Sequence, residues 1–122
     1  MMNQEIKAKW VAALRSGEYK QGFEQLKDCN GNFCCLGVLS DLAEKEGIVE
    51  SVQEEIGPRA FGYRTKGSEN SFKFGTLPKA VMDWAGLDSD NPIIGDNNRA
   101  TYCNDVCRMS FNKIADLVEK HF

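Results

Sequence analysis

Apolar residues recur at helical spacing in four stretches of the chain, and in three of them the flanking residues mark where a helix starts and stops. In the first, Ile6, Trp10, Ala13 and Leu14 share a face, Asn3 stands at the capping position and Gly17 follows the last turn. A second helix begins after Gly37, where Leu39, Leu42 and Ala43 line one side, Asp41, Glu44, Lys45 and Glu46 the other, and Gly47 closes it. Pro78 opens a third, with Val81, Trp84 and Ala85 inward and Gly86-Leu87 as its stop. Ser110 caps the last, which carries Phe111, Ile114, Ala115 and Val118.

Between these helices the period changes. Asn30-Gly31 is a tight-turn signal set before the run Phe33-Cys34-Cys35-Leu36-Gly37-Val38-Leu39, so Gln25 to Val38 reads as a short hairpin whose second strand passes directly into the second helix. From Ser51 to Thr76 the chain turns polar, yet Phe61 and Tyr63 alternate, as do Phe72 and Phe74, around the loop Thr65 to Asn70, which predicts a second hairpin. Asp88 to Asn98 reads as a turn-rich loop. The expected architecture is α+β: one small domain over residues 1–122, about four short helices and one or two small antiparallel hairpins, with residues 51–76 as its polar, variable part.

At 122 residues a single core is the default. The formal charge of −3 supplies no global pull toward nucleic acid or anionic lipid, so any electrostatic recognition is local. No apolar run reaches membrane-spanning length and the first ten residues are polar, which implies a protein with no membrane partner that stays in the cytoplasm. Five cysteines, an odd number with Cys34 and Cys35 adjacent, suit a reducing compartment, where unpaired thiols behave as small buried hydrophobes.

The candidate chemistry thins out on inspection. The single histidine, His121, lies at the end of the last helix, which leaves Cys34 and Cys35 without a nearby base for nucleophilic catalysis. Cys29, Cys34, Cys35, Cys103 and Cys107 lack the paired two-to-four-residue gaps of a zinc site. Asp88-Ser89-Asp90 starts like a calcium loop, but Pro92, Ile93 and Arg99 occupy positions that need a ligand, a glycine and a bidentate glutamate. Gly31 to Gly37 has no lysine followed by serine or threonine, so it is no phosphate loop. No cofactor is expected.

One local feature remains. Between Gly57 and Lys79 five cations (Arg59, Arg64, Lys66, Lys73, Lys79) meet the single carboxylate Glu69, a net +4 within a chain of −3. Aromatic residues are interleaved with them. On hairpin strands this places Arg59, Tyr63, Arg64, Lys66, Phe72 and Lys73 as a candidate binding set for single-stranded nucleic acid, a nucleotide-like small molecule or an acidic protein surface. The bland alternative is that the rings anchor the hairpin and the charges solvate it. Asp41 to Glu55, by contrast, holds six carboxylates and one lysine, so the chain reads as electrically two-ended.

The segments KWVAALRSGEYKQG, NFCCLGVLSDLA, LPKAVMDWAGLDSDNP and SFNKIADLVEKHF, with Asn104-Asp105 before the last, resemble a family of small uncharacterised proteins common in tailed-phage and prophage genomes. The chain departs from that pattern at Cys103, where leucine is usual, and at Ser40, where cysteine is common. Its thiols therefore look like interchangeable core residues. The resemblance brings no catalytic or binding residues. What it implies is a phage accessory protein in the host cytoplasm that binds, and inhibits, a host protein or sequesters a defence-signalling molecule; a nucleic-acid-binding module and a cysteine-dependent enzyme are the other readings.

Overall fold

A computed structural model describes residues 2–54, 60–65, 67, 72–95 and 97–122. Helix α1 (Gln4–Arg15) begins where Asn3 predicts: its side-chain oxygen accepts the Glu5 and Ile6 amides at 2.9 and 3.2 Å. Ile6, Trp10, Val11 and Leu14 are buried on one face. Helix α2 (Cys35–Lys45) starts earlier than the sequence pattern suggests and takes in most of the run read as a strand. Residues 35–40 are all buried, so no polar position marks a period, and a short run of this kind is indistinguishable from an interior strand. Gly37 is therefore a helix residue and not a strand-to-helix junction. A β-carbon there would overlap the carbonyl of Leu26, so its absence lets the preceding loop lie directly on the helix.

The predicted turn before α2 does form. Asp28 accepts the amides of Asn30 and Asn32, both at 2.9 Å, and the flanking chain meets in one antiparallel bridge, Lys27 with Phe33. No second ladder follows, because residue 34 already caps the helix.

Strands β1 (Val49–Glu54) and β2 (Ala60–Thr65) pair antiparallel, with Val49 opposite Thr65 and Val52 opposite Gly62. Residues 72–74 run beside β2: Tyr63 and Lys73 exchange both amide bonds, at 2.9 and 2.8 Å. The hairpin partner of β2 in the strict sense is thus β1, with the Phe72–Phe74 segment as an added edge. Helix α3 (Lys79–Ala85) is closed by Gly86, and Leu87 donates its amide to Met82 as expected. Within the stretch read as a loop lie β3 (Ile93–Gly95) and β4 (Asn98–Arg99), a two-stranded ribbon too short to register as alternation. A π-helical turn, Tyr102–Val106, leads to α4 (Phe111–His121), capped by Ser110.

One cluster of buried side chains links the helices, the π-helical turn and strands β1–β3, drawn from Trp10, Leu26, Leu36, Leu39, Val49, Tyr63, Leu77, Ile94, Cys103 and Ile114 among others. The molecule is an α+β domain, and its described residues form four α-helices, one π-helical turn and two small two-stranded antiparallel sheets. Among the described residues no helix is long and apolar enough to cross a membrane.

Candidate binding surface

The thiols divide into two groups. Cys34, Cys35 and Cys103 are buried, while Cys29 and Cys107 are exposed. Burial pushes the Cys34 thiol up to about 12 and raises Cys35 as well, because the interior penalises a thiolate. The Cys35 thiol donates to the Ala100 carbonyl at 3.7 Å. Neither is set up as a nucleophile. His121 lies at the last residue of α4 with its ring edge-on to Phe122. Among the described residues no group of three or more His, Cys, Asp or Glu side chains is placed to hold a metal ion.

A polar clasp joins the two thiol-bearing segments. Asn104 is fully buried in the π-helical turn; its oxygen accepts the Cys35 amide at 3.2 Å and Gln21 Nε2 at 3.0 Å, and its amide donates to Gly22 and Asp105. The Cys34 side chain makes no cap for α2, so Asn104, 69 residues from Cys35, satisfies that residue's amide at the helix end. Its role is structural.

The six predicted contact residues fare differently from one another. Arg59 and Lys66 lie outside the described residues. Tyr63 is no surface residue: it is fully buried, its hydroxyl has no hydrogen-bond partner among the described residues, and burial together with the Asp41 and Glu44 carboxylates raises its pKa. Strand alternation explains this, since Val49 and Tyr63 share the inward face of the β1–β2 ribbon while Val52, Gly62 and Arg64 share the outward one. Arg64 is half-buried and bound to Glu50 directly opposite, 2.7 Å away. Phe72 lies against the outer face of β2 at Gly62, where a β-carbon would collide with its ring and with the Lys73 carbonyl. Lys73 is exposed and opens, with Lys79, Met82 and Asp88, into a shallow cavity of about 430 Å³.

Phe72 and Phe74 therefore form a stacked pair on the outside of the ribbon, centroids 6.4 Å apart and planes 28° from parallel, with Phe74 52% exposed. Phe61 differs: Lys27 stands over its ring at 5.1 Å and over that of Phe33 at 5.6 Å. The expected acidic end is largely spent internally. Asp41 accepts the Tyr19 hydroxyl, Glu44 the Ser51 amide, Glu46 pairs with Lys9 and Glu50 with Arg64.

A second exposed apolar group was invisible to local sequence reading. Tyr102 (46% exposed) and Val106 (65%) project from the π-helical turn, and the Arg108 guanidinium lies 4.6 Å from the Phe23 ring. Glu24, next to that ring, donates its amide to Asp105 at 3.0 Å. Glu24 and Arg108 both adopt left-handed backbone, φ 68° and 51°, a conformation that costs a non-glycine residue roughly 1 kcal/mol. No motif foretells this, because segments 23–24 and 102–108 meet only in the folded chain.

Fold and surface together define a small α+β domain with three buried thiols and an exposed aromatic pair. The chain belongs to the family described as "Domain of unknown function (DUF8296)", whose model matches residues 2–122. Comparison with curated proteins and with solved structures finds no match.

Proposed function

We propose that the protein is an accessory protein of the phage or prophage kind that works in the host cytoplasm by binding, and inhibiting, a host protein. The observation that carries this reading is the Phe72–Phe74 stack on the outer face of the ribbon, with half of Phe74 in water. An aromatic pair left on a surface is the usual anchor of a protein contact. The raised pKa of the buried thiols adds support, since it takes away the side chains on which a cysteine enzyme would depend.

The test is retention from host lysate on immobilised protein, with mass spectrometry of both proteins and small molecules. A host protein held by the wild type and lost with Phe74→Ala, at unchanged melting temperature, is the expected result. Equal retention by both, or turnover of nucleotide or nucleic acid by the purified protein, overturns the reading.

A nucleic-acid-binding role is the second reading, favoured by the exposed Lys73 beside stacked rings. It requires affinity for single-stranded oligonucleotides that falls steeply with salt and drops on Lys73→Glu.

A further inference from the structure

Three observations converge on the surface around the π-helical turn, apart from the ribbon. The first is apolar exposure: Ile93, Tyr102 and Val106 are, with Phe74, the large apolar side chains that the described residues leave in solvent. Ile93 pairs with Arg99 across β3–β4, and the chain runs from Arg99 directly into the π-helical turn that carries Tyr102 and Val106, so the four lie along one strip of the chain. The second is charge. Among the described residues Arg99 donates to the Asn91 carbonyl and Arg108 faces the Phe23 ring, and neither pairs with a carboxylate. Asp105 is turned inward onto the Glu24 and Asn104 N–H groups, which leaves Glu24 as the outward acid at this edge. The third is conformation: a π-helical turn and two left-handed non-glycine residues meet at one contact, and such departures concentrate where a surface is shaped for a ligand.

We infer that this strip is a docking surface for an acidic peptide segment of a partner protein, with spaced aliphatic side chains packing on Tyr102 and Val106 and carboxylates reaching Arg99 and Arg108. The two arginines select the charge of the occupant, because a planar guanidinium binds a carboxylate in bidentate fashion. The exposed apolar pair between them selects aliphatic side chains over purely polar acid. This surface is independent of the ribbon stack.

The test uses the full chain and short fluorescein-labelled peptides read by fluorescence anisotropy. The probe is an oligoglutamate with leucine at every fourth position; controls replace its leucines by serine or its glutamates by lysine. Binding of the probe at least tenfold tighter than either control is expected, weakening tenfold or more with Arg99→Ala combined with Arg108→Ala. Glu24→Lys is expected to strengthen it several-fold, an outcome that mere damage to the fold does not produce. Phe74→Ala leaves it unchanged, so this surface and the ribbon reading fail separately. Equal binding of the serine control, no response to Glu24→Lys, or preference for an oligothymidylate over the probe overturns the proposal.

Discussion

The segment Phe33 to Leu39 and the segment Phe72 to Phe74 are both rich in apolar residues, yet one is interior on all sides and the other lies on the outside of a ribbon. Around the first, space and polar groups are both accounted for: Leu26 lies on Gly37, Trp10 Nε1 donates to the Cys35 carbonyl at 3.0 Å, and Asn104 takes the Cys35 amide. Around the second, a ring is half in water, and the buried hydroxyl of Tyr63, the residue bridged to Lys73, has no partner among the described residues. The contrast teaches that apolar content alone does not separate core from contact surface. What separates them is whether the neighbouring backbone can close over the residue.

The comparison breaks most visibly at Gly37. Replacing it by alanine drives a methyl group into the Leu26 carbonyl, and a loss of about 3 kcal/mol or more in urea unfolding is expected. A melt within error of wild type would mean that the loop does not seal α2. Next comes Asn104→Ala, which strands the Cys35 amide and the Gly22 carbonyl in a dry interior at a cost of about 2–3 kcal/mol. The same unfolding assay checks it.

Smaller effects sharpen the picture. The Cys34 thiol titrates near 12 when folded against an ordinary value of 9, so the folded state holds its proton more tightly and stability falls as pH rises through that window. Each such thiol contributes a slope of up to about 1.4 kcal/mol per pH unit above pH 9, with none below. Cys34→Ala flattens the curve of stability between pH 9 and 11; an identical slope in the variant would put the thiol in water. The smallest and opposite effect is Tyr63→Phe, which removes a buried hydroxyl without a partner and raises stability by about 1 kcal/mol. A loss of that size would reveal a hydrogen bond to the phenol.

How much of this was legible in the sequence depended on whether the signal was local. Asn3, Pro78, Gly86 and Ser110 announce α1, α3 and α4 because capping is chemistry between near neighbours. Phe33 to Leu39 did not announce its helix, since a run buried on every side carries no period to read. Nor did Ile93 to Arg99 show β3–β4, where the pairing is two or three residues long and interrupted by a shift of register. Of the candidate site, Lys73 is exposed and Phe72 is half-buried against Gly62. Tyr63 went inward and Arg64 was neutralised by Glu50, a partner contributed by another strand. The Phe23–Arg108 contact spans most of the chain and had no trace in either segment.

The two tryptophans occupy unlike settings, and the molecule carries its own optical reporters as a result. Trp10 is wholly enclosed with its indole N–H held by the first turn of α2, whereas Trp84 on α3 is partly wetted. Emission from the first lies toward the blue and shifts red when α1 parts from α2; the second is reached by aqueous quenchers while the chain is still folded. With Trp84→Phe, intrinsic fluorescence follows the parting of these two helices without a label.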